Sequence, residues 1–289
     1  MKCLALTLTL VSCGRREATE LPVESPLALL ASSAPSEREP EPMSPSVAEP
    51  APPVTPGAAW PPQPPGAVSD FCIEGIEALD ESSCYVLPDA PTSELVIYLH
   101  GIVPPEKTSR QKTNFEKVVS AASRRAGVAA LMPRGRVGLA PRGHERWWGW
   151  PTSGAAHARW APELVRELGE KRTKLEQLVG KPFERVYLAG SSSGAYFVIA
   201  LALSGELPAD GYAAISGATD RHDADLRSLR KVPFYIGFGT RDTVGGAARS
   251  LYGRLKAAGF SVALGVHPLP HGTAEVYLDE AFSHFREAR

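Results

Sequence analysis

The run ERVYLAGSSSGAYFVIALAL, Glu184 to Leu203, decides how the rest of the chain is read. Its first part is apolar and strand-like, and its last part is apolar and helix-like. Between them three serines stand enclosed by two glycines. Gly/Ser-rich stretches are ordinarily linkers, but a linker separates domains, and both flanks here are as apolar as a core. A strand that turns at once into a helix through Gly-x-Ser-x-Gly is a nucleophile elbow. One register fits, Gly190-Ser191-Ser192-Ser193-Gly194, which makes Ser192 the central residue. So tight a turn strains its centre and leaves room only for small residues two places to either side, a need met by Gly190 and Gly194. Ser192 is then expected to stand clear of the sheet at the head of the following helix. The backbone N–H of Ser193 is expected to face the point where negative charge develops on a substrate oxygen.

Outward from this run, strand-like and helix-like stretches alternate. Short apolar runs at Glu94–His100, Val128–Pro133, Tyr212–Ser216, Val232–Gly239 and Ser261–His267 predict strands. Helical spacing, or a Pro/Glu start with a Gly stop, predicts helices over Asn114–Gly127, Pro162–Gly180, Gly246–Gly259 and Ala274–Ala288. Such alternation over some 220 residues predicts one α/β domain with a mostly parallel sheet covered on both faces.

A serine hydroxyl is a weak nucleophile at neutral pH and needs a general base, itself held by a third group. YIGFGTRDTVGG places Asp242 just past a strand, where functional groups gather in parallel sheets. SVALGVHPLPHGTAE places His271 in the loop after the last strand. Asp220 and Asp223, after the preceding strand, are weaker rivals for the acid. His267 sits at a strand end and reads as a packed residue, and His284 lies on the last helix, facing solvent.

With Ser192, Asp242 and His271 in that order, the chain from about Phe71 to its C-terminus resembles the α/β-hydrolase superfamily. YLHGI, Tyr98 to Ile102, adds to the likeness, because His-Gly after the third strand is similar to that superfamily's oxyanion loop. The resemblance implies a close backbone approach at Gly101, a second oxyanion donor in the Ile102 N–H, and a loop-shaping role for His100. It implies hydrolysis of small-molecule or polymeric carboxylic esters through an acyl-enzyme on Ser192, with no metal or organic cofactor. Thioesters and amides answer to the same triad. The reading from another class is a non-catalytic surface lipoprotein that keeps the fold for binding, and the intact set of three counts against it.

Residues 217–231 are too few for the lid that many members of the superfamily insert there. The long insertion is 134–160, in which Trp147, Trp148 and Trp150 are expected to wall a substrate pocket, with Arg142 or Arg146 at its rim. This stretch resembles the Trp-containing loop of esterases related to poly(3-hydroxybutyrate) depolymerases and of the phospholipase/carboxylesterase group. It lacks the cysteine that the former carry beside the tryptophans.

The N-terminus has another character. Met1-Lys2 precede an apolar run too short to span a bilayer, and then comes Cys13. Leu10-Val11-Ser12-Cys13 resembles the bacterial lipobox, which implies cleavage before Cys13 and acylation of its thiol. Gly14 in place of a retention aspartate implies the outer membrane. About half of the 27 prolines fall between Glu17 and Gly66, a composition with little to bury that behaves as an extended tether. The expected plan is a signal peptide (1–12), a tether (13–68) and a hydrolase domain (69–289), held at a cell envelope by lipid. Cys72 and Cys84 form an even pair in a chain read as exported, where a bridge would stabilise by roughly 3 kcal/mol. Neither cysteine has the neighbours of a metal site. A formal net charge of -1 gives no footprint for nucleic acid.

Overall fold

The computed structural model describes residues 59–61, 67, 69–219 and 225–288. The signal peptide, Cys13, nearly all of the tether, and the rival acids Asp220 and Asp223 lie outside them. The apolar runs form strands β1 (Glu77–Asp80), β2 (Ser83–Val86), β3 (Glu94–Leu99), β4 (Ala129–Pro133), β5 (Arg136–Val137), β6 (Trp148–Gly149), β7 (Arg185–Ser191), β8 (Gly211–Ile215), β9 (Phe234–Gly239) and β10 (Val262–His267). The helices are α1 (Arg110–Ala126), α2 (Gly154–Val179), α3 (Ser193–Ser204), α4 (Gly245–Ala257) and α5 (Glu275–Glu287). β5 and β6 make a small antiparallel ribbon. The other eight strands form one sheet in the order β1-β2-β4-β3-β7-β8-β9-β10, antiparallel at β1–β2 and β2–β4 and parallel beyond.

Alternation along the strands sorts the core into two layers. Leu95, Ile97 and Leu99 join Leu188, Ile236, and the inner faces of α2, α3 and α4. Val96 and Tyr98 join Tyr187, Tyr235, and the inner faces of α1 and α5. Helix α1 leaves the end of β3 toward one face and α3 leaves the end of β7 toward the other. Because β3 and β7 are neighbours, their C-terminal ends bound a crevice of the kind where ligands bind in open α/β sheets.

Two boundaries differ from expectation. α2 begins at Gly154 and contains Pro162 in its interior. The start is set by Ser153, whose side chain accepts from Ala156 N–H, rather than by the proline. α1 likewise starts at Arg110, capped by the Ser109 hydroxyl accepting from Lys112 N–H. The β1–β2 hairpin is an addition, and a disulfide joins Cys72, in the segment before it, to Cys84 on β2. Beside that bridge a fully enclosed Lys112–Glu116 ion pair accepts Ile73 N–H at 2.9 Å, fastening the entry of the chain to α1. Earlier in the chain, Trp60 donates from its indole to Pro88 C=O at 2.7 Å. Among the described residues no helix is long and apolar enough to cross a membrane.

Candidate active site

β7 ends at Ser191 and α3 begins at Ser193, so Ser192 alone makes the turn, with φ 50° and ψ −118°. Such a conformation costs a non-glycine residue about 1–3 kcal/mol, and steric closure holds it. A Cβ on Gly194 would lie 2.0 Å from the Leu99 carbonyl oxygen, and one on Gly190 would lie 2.7 Å from that of Gly194. The turn is therefore pressed against the end of β3, and Ser192 N–H is tied to Ile215 C=O of β8 at 2.9 Å.

His271 reaches the serine from the loop between β10 and α5. Its Nε2 lies 3.0 Å from Ser192 Oγ, and its Nδ1 lies 3.0 Å from Asp242 Oδ2. Asp242 follows β9, its side chain fully buried, and its Oδ1 accepts from Val244 N–H at 3.2 Å. Both carboxylate oxygens act as acceptors, so Nδ1 carries the imidazole proton and Nε2 offers its lone pair to the serine hydroxyl. The loop is pressed at Leu269 against Gly239 of β9, and beyond His271 it is held by polar side chains. Ser216 Oγ donates to Gly272 C=O and accepts from Gly272 N–H, both at 3.1 Å. The Tyr98 and Thr273 hydroxyls are 2.7 Å apart, and Asn114 donates to Thr273 C=O at 3.3 Å. Ser216, with φ 48°, is the only non-glycine residue besides Ser192 with positive φ among the described residues.

At the end of β3 the backbone comes close, for a Cβ on Gly101 would stand 3.2 Å from Ser192 Cβ. His100 is fully buried there. Its Nε2 accepts from Gly135 N–H at 2.9 Å, so Nδ1 carries the proton and donates to Gly101 C=O at 2.5 Å. Burial first, and then the charges of Lys112 and Arg134, bring its pKa down to about 4, so the ring is neutral. The Gly101 carbonyl and the Ile102 N–H share one trans peptide plane and point opposite ways. Holding the carbonyl on His100 thus turns the Ile102 N–H away from the buried ring. Neither that N–H nor the one of Ser193 has a hydrogen-bond partner among the described residues.

Sequence comparison finds no matching family model and no similar curated protein. Comparison of the structure does find likenesses. Esterase PE8 superposes with a TM-score of 0.52 at 18% identity, over 72% of this chain and 99% of its own. The Bacillus cereus carboxylesterase gives 0.53 at 15%, over 75% and 96%. The Mesorhizobium loti carboxylesterase gives 0.50 at 18%, over 67% and 88%. The chain has the α/β-hydrolase fold. At these identities the likeness speaks for the fold alone.

In this α/β-hydrolase fold a cleft of about 690 Å³ opens over Ser192 and His271. Trp147 lines it, together with Ile102, Phe115, Pro141 and Leu269. Trp148 and Trp150 do not, contrary to expectation. Trp148 exchanges backbone hydrogen bonds with Val103 at 2.9 and 3.0 Å and sets its ring edge-on to Phe71. Trp150 is 1% exposed and stacks on Phe197. The loop returns as β6, and from that point its rings turn to the core. Arg142 and Arg146 stay outside the cleft, and the arginine that lines it is Arg110. His267 ends β10 with its Nε2 2.9 Å from Glu280, and His284 faces Ser261 C=O at 3.3 Å, both away from the cleft. Sequence reading missed Ser216, Tyr98, Thr273 and Arg110. Of these only Ser216 left a trace, as a Ser-Gly pair closing an apolar strand.

Proposed function

We propose that this protein is a serine hydrolase of carboxylic esters, anchored by lipid in a bacterial cell envelope, at the outer membrane. The observation that carries the chemistry is the pair of 3.0 Å contacts, Ser192 Oγ to His271 Nε2 and His271 Nδ1 to Asp242, at the floor of an open cleft. In the proposed cycle Ser192 Oγ attacks the ester carbonyl while its proton passes to His271 Nε2. Asp242 holds the imidazolium. The N–H groups of Ser193 and Ile102 take the oxyanion, with Gly101 giving them room to approach. The tetrahedral intermediate collapses, the alcohol leaves with the proton from His271, and an acyl-Ser192 ester remains. Water, deprotonated by the same imidazole, then releases the acid and restores the serine. The similar structures, an esterase and a carboxylesterase, favour esters over amides.

Fluorophosphonate probes are expected to label the protein at Ser192. Ser192→Ala is expected to lose the labelling and roughly a million-fold in ester turnover. A Ser192→Ala protein turning over esters at the wild-type rate would refute the mechanism. Turnover of amides or thioesters above matched esters would move the substrate class and leave the triad standing.

The envelope location rests on the apolar run ending at Cys13, and the Cys72–Cys84 bridge supports it, since such bridges persist in oxidising compartments. Cells making the full chain are expected to incorporate labelled palmitate, and Cys13→Ala is expected to abolish it. Equal labelling of the variant would remove the anchor from this proposal.

A further inference from the structure

The lining of the cleft is electrically one-sided. Among the described residues that line it there is no Asp or Glu, and apart from two histidines the one ionisable side chain is Arg110. Arg110 is exposed in the first turn of α1 and makes no ion pair or side-chain hydrogen bond among the described residues. The charge of Lys112, two residues on, is answered by Glu116 inside the domain. The carboxylate of Asp242 is sealed behind His271 with no exposed surface. No described residue lining the cleft therefore offsets the guanidinium, and the neutral donors Gln111 and Asn114 line the cleft beside it. Pro141 and Trp147, which also line the cleft, are suited to carbon. A free guanidinium presents a planar fork of donors matched to a carboxylate.

We infer that the Arg110 end of the cleft is a subsite for an anionic group, and that the preferred substrates are carboxylic esters bearing a second, free carboxylate. This rests on the ester-hydrolase reading above. The free carboxylate can belong to the acid or to the alcohol of the ester, and the test has an arm for each.

In the first arm the full chain is given 4-nitrophenyl monoesters of succinate, glutarate and adipate, each beside its carboxamide isostere. In the second it is given 4-acetoxybenzoate beside 4-acetoxybenzamide. In at least one arm the carboxylate is expected to be preferred by roughly three- to tenfold in kcat/KM, between the worth of an exposed ion pair and that of a charge-assisted hydrogen bond. The preference is expected to act mainly through KM, to shrink as salt is raised, and to vanish in Arg110→Gln. No preference in either arm, or one that Arg110→Gln retains, overturns the subsite. A wild-type chain that hydrolyses none of these esters counts against the hydrolase reading instead. The subsite is then read without turnover, as NMR line broadening of glutarate by the full chain. Broadening that Arg110→Gln removes supports it, and equal or absent broadening in both proteins overturns it.

Discussion

Ser192 and His271 meet at 3.0 Å, yet the backbone at the serine and the backbone just after the histidine are held by different means. The serine turn is locked by backbone against backbone, with Gly194 pressed on the Leu99 carbonyl. Beside it the Gly101–Ile102 segment hangs on a buried, neutral His100. The histidine loop has such closure only where it leaves β10, for a Cβ on Gly239 would lie 1.9 Å from the Leu269 carbonyl oxygen, while one on Gly272 would meet nothing. His271 is half exposed, and its place depends on Ser216, Tyr98 and Asn114, drawn from three distant parts of the chain. Steric closure excludes every alternative and admits only glycine, whereas hydrogen bonding leaves a position that changes by degrees as single groups are removed.

The sharpest way to break this contrast is at Gly194. Gly194→Ala puts a methyl 2.0 Å from a carbonyl that cannot withdraw without opening β3, and a loss of about 4 kcal/mol or more is expected. Urea unfolding measures it, and a melt like that of the wild type would show the elbow to be as yielding as the loop. The next effect is at His100. Its folded pKa of about 4 lies below the ordinary 6.5, so between those values the unfolded chain binds the extra proton. Its contribution is complete above about pH 6.5 and is lost as pH falls toward 4, by up to about 3 kcal/mol. Unfolding measured from pH 7 to 4 is expected to show a shallower slope in His100→Asn than in the wild type, and equal slopes would take His100 out of the locked half. The smallest effect belongs to the loop. Ser216→Ala and Ser216→Gly both delete the two bonds to Gly272 and are expected to lower kcat roughly tenfold, with KM nearly unchanged and the fold intact. Recovery of kcat in the glycine variant alone would assign the loss to backbone strain.

The same contrast governs how much could be read from the sequence. The elbow is legible because its constraint is local, with glycines at fixed offsets between a strand and a helix. Asp242 and His271 are legible as candidates because strand ends can be located from apolar runs. What escaped depends on partners far away in the chain. Ser216 bonds to a residue 56 positions later, and Tyr98 to one 175 later. Trp147 and Trp150 look alike in sequence, and only the pairing of β6 with Val103 sends one to the cleft and the other to the core. Pro162 misled because a proline at a helix start is commoner than one inside, and the Ser153 cap eight residues before α2's first apolar stripe carried a weaker signal.

The register of β3 against β7 has a consequence for how the molecule comes into being. Glu94 pairs with Arg185 and Leu99 with Gly190, so the central pairing closes a chain loop of about 90 residues, a slow event relative to local hairpins and helices. The Gly194–Leu99 contact that sets the nucleophile exists only after that closure. Pairing of β1 to β4 alone would bring Gly101 and Ile102 to the end of β3 without the serine turn beside them. A newly made chain therefore holds no serine turn in place until β3 and β7 have met.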